Sequence, residues 1–331
     1  MQRIYYRKHR RRREARKRLI ILILSIVLFI LLIVFLRSAF NHFIHPSQSV
    51  KSATITRGSS PTSPPKTTNP PPTERTNSPL LSDAVQSALT GTRGNYGILI
   101  QNLKTKEFYS SNEHTRYYSA SLYKLWVMLT VFEQINNGTL NKDTIMTQDI
   151  KILNKKFNIG SESAELTEGS IKMSVGEALE KMIVISDNYS ALLLTEKVKL
   201  SSINNTLKQK GFYESELGKN DTPPTTTPYD IGLFFEKLYN GQLADKATTN
   251  EMIALLKAQR LNDKIPKYLP DNIVVAHKTG ELDLYSHDAG IIYTPELEYI
   301  LVVLSKSDSP DLADVRISNI SQEVYSYFSR N

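Results

Sequence analysis

Residues 272–305 read NIVVAHKTGELDLYSHDAGIIYTPELEYILVVLS. Three stretches within them, NIVVAHK (272–278), DAGIIYT (288–294) and EYILVVLS (298–305), are rich in Val, Ile and Tyr and are separated by polar joints. Short apolar runs of β-branched and aromatic residues bounded by turn residues predict strands, the last two joined at Pro295-Glu296-Leu297. Further strands lie about 170 residues upstream: NYGILIQNL (95–103) and EFYSSN (107–112), with Lys104-Thr105-Lys106 between them, predict a hairpin. A helix at 121–137 follows the hairpin, and the middle, 140–265, reads as mainly helical, with segments at 174–185, 189–209, 228–240 and 248–260. Gly138 is a natural C-terminal stop for the first of these. A short helix at 82–90 precedes the hairpin. An amphipathic helix at 311–328 closes the chain, with Leu312, Val315, Ile320, Val324 and Phe328 on one stripe. Strands at both ends with helices between predict an α/β fold: an antiparallel sheet completed by both ends of the domain, plus an inserted all-helical lobe. A cleft between two such lobes is a natural active site.

That domain, 81–331, is preceded by three segments of different character. The chain has 331 residues, 41 Lys+Arg against 33 Asp+Glu and a formal net charge of +8. Residues 1–18, MQRIYYRKHRRRREARKR, carry ten of the basic residues and one acid, Glu14, so the remainder holds 31 basic and 32 acidic residues. The basicity belongs to a tail, and a nucleic-acid partner is not expected. Residues 19–36, LIILILSIVLFILLIVFL, have no charge and one polar member, Ser25. As a helix they span about 27 Å, close to the hydrocarbon thickness of a bilayer. A cleaved signal peptide is the competing account, but its apolar region is usually about 7–15 residues and ends in a small-residue cleavage site. Here no A-x-A pattern follows Arg37. The expectation is one uncleaved transmembrane helix, with the basic tail in the cytoplasm and the rest extracytoplasmic at the cell membrane. Residues 37–80 read as a linker: eight of the 15 prolines fall in 46–80, mixed with Ser, Thr and Asn. Such a composition cannot bury apolar area and favours extended chain.

The absence of Cys excludes thiol catalysis, a disulfide scaffold and Cys-based metal sites. No His pair has H-E-x-x-H spacing, and nothing points to a metal or organic cofactor. Three polar triplets stand out instead: Ser121-Leu122-Tyr123-Lys124, Ser186-Asp187-Asn188 and Lys278-Thr279-Gly280. Singly, each has a plain structural account. Ser121 could cap a helix with Lys124 solvated, the second triplet could cap a helix, and the third could end a strand in a Gly turn. A second S-x-x-K, Ser63 to Lys66, lies in the Pro-rich linker, where coil cannot fix the geometry. Ser121 differs because it opens a predicted helix. Lys124, three residues on, faces the same side and can reach its hydroxyl. The free N–H groups at the helix start could serve as half of an oxyanion hole, which favours acyl transfer.

In this order the triplets resemble the signature of class A β-lactamases and penicillin-binding proteins. The lead-in YGILIQNLKTKEFYSSNEHTRYYSASLYK, the segment MSVGEALEKMIVISDNYSALLL, the Thr225-Thr226-Thr227-Pro228 run and VAHKTGELD are similar to that family in style, over about 85–330. The resemblance implies the serine β-lactamase-like fold. It also implies a substrate that is a β-lactam or a D-alanyl-D-alanine-type wall peptide, handled by a chain expected to be monomeric. Ser121 would be the nucleophile, Lys124 its base, with an amine pKa lowered by Lys278, and Ser186 would pass a proton to the leaving nitrogen. Asn188 would hold the substrate's side-chain amide, and Lys278 and Thr279 its carboxylate. Gly280 would let the strand approach the ligand, and the Leu282 N–H would be the second oxyanion donor. His277 reads as structural, on the other face of the sheet.

One departure concerns deacylation. The family's E-x-x-L-N loop corresponds at best to Glu214-Ser215-Glu216-Leu217-Gly218, with Gly where Asn is expected, in a loop of only 14 positions from Gly211 to Thr225. Glu214 is the candidate deacylating base on this reading. Without a base, an acylated Ser121 would persist, as in a penicillin-binding D-alanyl peptidase or a non-turnover receptor. The short cytoplasmic tail argues against a receptor that signals inward.

Overall fold

The computed structural model describes residues 76–218 and 222–330. The expected anchor and most of the expected linker lie outside the described residues. Among the described residues no helix is long and apolar enough to cross a membrane.

The described residues open with α1 (Pro79–Leu89), β1 (Asn95–Asn102), β2 (Phe108–Ser111) and the two-residue β3 (Tyr117–Tyr118). A 3-10 turn, Ala120–Leu122, runs directly into α2 (Tyr123–Asn136). The helical lobe continues with β4 (Ile145–Asp149), α3 (Ile150–Lys156), β5 (Ser170–Ser174), α4 (Val175–Val184), α5 (Asn188–Val198) and α6 (Leu200–Lys210). Next come β6 (Thr225–Thr226), α7 (Pro228–Tyr239), α8 (Lys246–Lys257), β7 (Val274–Leu282), β8 (Tyr285–Tyr293), β9 (Glu298–Lys306) and α9 (Pro310–Phe328).

Five strands form one antiparallel sheet in the order β2-β1-β9-β8-β7. The two ends of the domain meet at its centre, where β1 pairs with β9 from Asn95↔Lys306 to Asn102↔Tyr299. The central strands are apolar runs rather than alternating ones because both faces are covered. Ile98, Ile100, Leu301 and Val303 pack with Leu81 and Val85 of α1 and with Ile317, Ile320 and Val324 of α9. Leu99, Ile300, Val302 and Leu304 face the helical lobe, around Leu125, Trp126 and Phe234. Each such buried side chain contributes about 1.5–3 kcal/mol relative to an exposed one.

Four expectations change. The region 189–209 is two helices: Lys199 has φ +73°, which breaks the chain between α5 and α6. The middle region is less uniformly helical than its composition predicts, because β4 and β5 pair as a small antiparallel ribbon. Lys278-Thr279-Gly280 does not end a strand but lies within β7, which runs on to Leu282. The core stripe of α9 is Ala313, Ile317, Ile320, Val324 and Phe328, while Leu312 and Val315 are exposed. At about 100° per residue, Val315 lies roughly 140° from Ile320 around the helix, too far to share its face.

Candidate active site

The turn that carries Ser121 is fixed from three sides. Tyr117 and Tyr118 pair with Thr226 and Thr225 of β6. The Ser119 N–H donates to Pro224 O at 2.8 Å. Buried His287 of β8 accepts from the Ser305 N–H at Nδ1 (3.1 Å), which leaves Nε2–H to donate to Tyr118 O at 2.8 Å. Burial lowers the His287 pKa to about 4, so the ring stays neutral in this role. Ala120, just before Ser121, has φ +46°, a conformation costly for a residue with a Cβ. β7 is the edge strand against this turn. A Cβ at Gly280 would lie 3.1 Å from Ser119 O and 3.2 Å from Ser121 N, so only glycine fits without displacement. The half-buried Ser121 hydroxyl makes no hydrogen bond among the described residues.

Lys124 sits in the first turn of α2 with no exposed surface. Its Nζ donates to Ser186 O (2.6 Å), Ser186 Oγ (3.1 Å) and Asn188 Oδ1 (2.7 Å). The Ser-Asp-Asn triplet forms a tight link between α4 and α5. Ser186 has φ +56°, and the Asp187 side chain caps α5 by accepting from Ser190 N at 2.7 Å. Lys278, also fully buried, projects from β7 on the face shared with Ala276 and meets the same serine. Its Nζ donates to Ser186 Oγ at 2.9 Å and to Thr279 O at 2.8 Å. Burial pushes the Lys124 pKa down to about 7, against the opposing pull of Asp187 and Glu165. Burial also holds the Lys278 pKa well below its ordinary value, and the nearby Lys124 charge adds to the effect. One serine hydroxyl thus lies between two buried amines, one of which can be neutral near pH 7.

The structure brings together Lys124, Ser186, Asn188 and Lys278, with Ser121 and Gly280 packed at the adjoining turn. Thr279 is buried and pairs with Asp288 of β8. Leu282 closes β7 opposite Tyr285, with its side chain 38% exposed. Glu214 lies with a different group. Its Oε1 bonds His114 Nδ1 at 2.8 Å and its Oε2 accepts from Thr227 Oγ1 at 2.7 Å. His277 packs on the α9 side of the sheet, between Asp288 Oδ1 (2.9 Å) and Asn262 Oδ1 (3.1 Å). The carboxylates of Asp263, Glu281 and Asp314 converge within 4.8 Å of one another, and buried Lys264 lies among them, 2.6 Å from Glu281. Burial opposes the Lys264 charge, and the three carboxylates outweigh it and raise the pKa.

A model of the β-lactamase enzyme family matches residues 80–328. The chain belongs to that family. It is 22% identical over 274 residues to the extended-spectrum β-lactamase PER-1 of Pseudomonas aeruginosa, covering 76% of this chain and 88% of the relative. Among solved structures it is similar to a β-lactamase from Sphaerobacter thermophilus, with a TM-score of 0.67 and 22% identity over 76% of this chain and 97% of that one. It is also similar to a mutant of PBP-A solved as an acyl-enzyme complex with penicillin G, with a TM-score of 0.66 and 19% identity over 76% and 97% of the two chains. The protein is therefore a serine β-lactamase-like hydrolase with the serine β-lactamase-like α/β fold.

Two residues of this β-lactamase-family site carry no signal in the sequence. His287 is a lone histidine in a strand, and its role as a brace for the Ser121 turn depends on pairing across the sheet. Glu165 lies in a polar run between α3 and β5, and its Oε1 accepts from Asn188 Nδ2 at 2.7 Å. It is the acid whose charge reaches Lys124, together with Asp187.

Proposed function

We propose that this chain forms an acyl-enzyme through Ser121 with β-lactams and hydrolyses them slowly. The observation that carries the reading is the arrangement of Lys124 and Lys278 around the Ser186 hydroxyl, beside a serine on a strained turn. Neutral Lys124 takes the Ser121 hydroxyl proton as Oγ attacks the lactam carbonyl. The Ser121 backbone N–H, in the 3-10 turn, stabilises the oxyanion. As the C–N bond breaks, Ser186 delivers a proton to the nitrogen and is resupplied from Lys124 at 3.1 Å. In this reading Lys278 binds the substrate carboxylate and the Asn188 amide binds its acyl side chain.

Deacylation needs a water and a base, and Glu214 is engaged by His114 and Thr227. This favours a persistent acyl-enzyme and, with it, a second reading: a penicillin-binding D-alanyl peptidase of the cell wall. We place the domain outside the cell membrane on a single N-terminal anchor. That placement rests on the apolar run 19–36 and the ten basic residues before it.

The deciding experiment treats the full-length chain with a fluorescent penicillin and then with a chromogenic cephalosporin. Stable labelling without turnover supports the slow form, labelling with rapid turnover supports an efficient β-lactamase, and absence of labelling sinks both readings.

A further inference from the structure

We propose that Glu165 selects substrates by the charge of their acyl side chain, favouring those that carry an ammonium group on the carbon next to the side-chain amide. The inference rests on the acyl-transfer reading above, in which Asn188 receives the substrate's side-chain amide.

Asn188 has two polar ends, and the structure commits both. Its Oδ1 accepts from buried Lys124, so Nδ2 is the end turned outward. That NH2 group is held by Glu165 Oε1 at 2.7 Å. An acyl side chain seated on Asn188 therefore lies against a fixed carboxylate rather than against bulk water. The surrounding loop strengthens the field. Residues 160–169 read GSESAELTEG, with Glu162, Glu165 and Glu168 at every third position and no basic residue. All three are exposed, and the cation that Glu165 feels is the buried Lys124 on the far side of Asn188. The loop is anchored to the site's own helix: the Leu166 N–H donates to Tyr189 OH at 3.1 Å and that hydroxyl donates back to Leu166 O at 2.7 Å. Glu165 is thus held where a substituent on the substrate's α-carbon would arrive. An ammonium there gains attraction, and a carboxylate meets repulsion. Each effect at an exposed site is worth about two- to fivefold.

The test uses the full-length chain and three penicillins that differ only at that carbon: benzylpenicillin, its α-amino analogue and its α-carboxy analogue. Second-order rate constants for acylation are measured at low and high salt. The expected result is an α-amino to α-carboxy ratio of about tenfold at low salt that shrinks in high salt, as surface electrostatics does. Glu165→Gln keeps an acceptor for Asn188 but removes the charge, and should bring the ratio to within about twofold. Glu165→Lys should invert it. A wild-type ratio near one, or a tenfold ratio that survives in Glu165→Gln, overturns the proposal while leaving Ser121 acylation intact. Failure of all three penicillins to acylate the wild type overturns both this inference and the reading beneath it.

Discussion

Lys124 Nζ donates to Asn188 Oδ1 at 2.7 Å, and this bond fixes which way the Asn188 amide faces. Its oxygen points at the buried amine and its NH2 group at Glu165 Oε1, 2.7 Å away. Under the roles proposed above, the same bond couples substrate binding to the charge on the base, because any change at position 188 alters what Lys124 feels.

A pH profile follows from that coupling. The Lys124 pKa is lowered to about 7, so the amine is protonated below that pH and cannot accept the Ser121 proton. Acylation rates should rise as pH increases from 5 to 8 and level off above. Asn188→Asp would place a carboxylate beside the amine, favour its charged form and move the rise to higher pH. Stopped-flow acylation across that range, in both proteins, is the check. A flat wild-type profile would remove Lys124 from the role of base.

Ser121→Ala should abolish covalent labelling by a fluorescent penicillin. Its hydroxyl makes no hydrogen bond among the described residues and Ser121 caps no helix with its side chain, so the midpoint of thermal unfolding should shift little. A surface-type change of this kind is usually worth within about 0.5 kcal/mol. Ser63→Ala, in the other S-x-x-K of the chain, should change neither property.

The extent to which this architecture could be read from sequence differs between sheet and site. EYILVVLS reads as a strand and the order of elements predicts a sheet closed by both ends; the structure shows that the unbroken apolar run comes from burial on two faces. The three triplets stood out because each combines polar types at a place where a chain normally turns. The break at Lys199 was hidden, since a single residue at positive φ inside a helical pattern leaves no trace in periodicity. Glu165 was hidden for a related reason. An acid in an exposed polar loop looks like any solvated charge until α5 brings Asn188 beside it.

Two glycines separate packing from catalysis. A Cβ at Gly232 of α7 would come within 2.7 Å of Leu99 Cδ2 in the sheet. Gly232→Ala should therefore destabilise the fold by about 1–3 kcal/mol, the usual cost of overfilling a core. At Gly280 the contacts are 3.1–3.3 Å, and they fall on Ser119, Ala120 and Ser121. Gly280→Ala should shift the nucleophile's turn by a few tenths of an ångström, enough to slow acylation by at least tenfold while thermal unfolding moves little. Equal loss of stability in the two variants would contradict this division.

Topology gives a test independent of chemistry. If residues 19–36 anchor the chain and the domain lies outside, protease added to intact cells should release a fragment that begins within 46–80, where an exposed coil offers the first cleavable backbone. A protein free in the medium with its N-terminus near residue 40 would instead identify a cleaved signal.

The lifetime of the proposed acyl-enzyme turns on whether Glu214 can act as its deacylating base. Its two oxygens are held by His114 and Thr227, and its backbone N–H donates to buried Asp230 at 2.9 Å, so the residue ties the short loop to α7. A carboxylate committed in this way is not positioned to take a proton from a water beside Ser121. General-base assistance is typically worth about 10²–10⁴ in rate, so its loss is sufficient to turn a fast β-lactamase into a slowly recovering penicillin target. Glu214→Gln should then leave cephalosporin turnover within about twofold of the wild type, with at most a small loss of stability from the weakened loop contacts. A hundredfold fall in turnover with labelling retained would show that the loop rearranges in the acyl-enzyme and delivers Glu214 as the deacylating base.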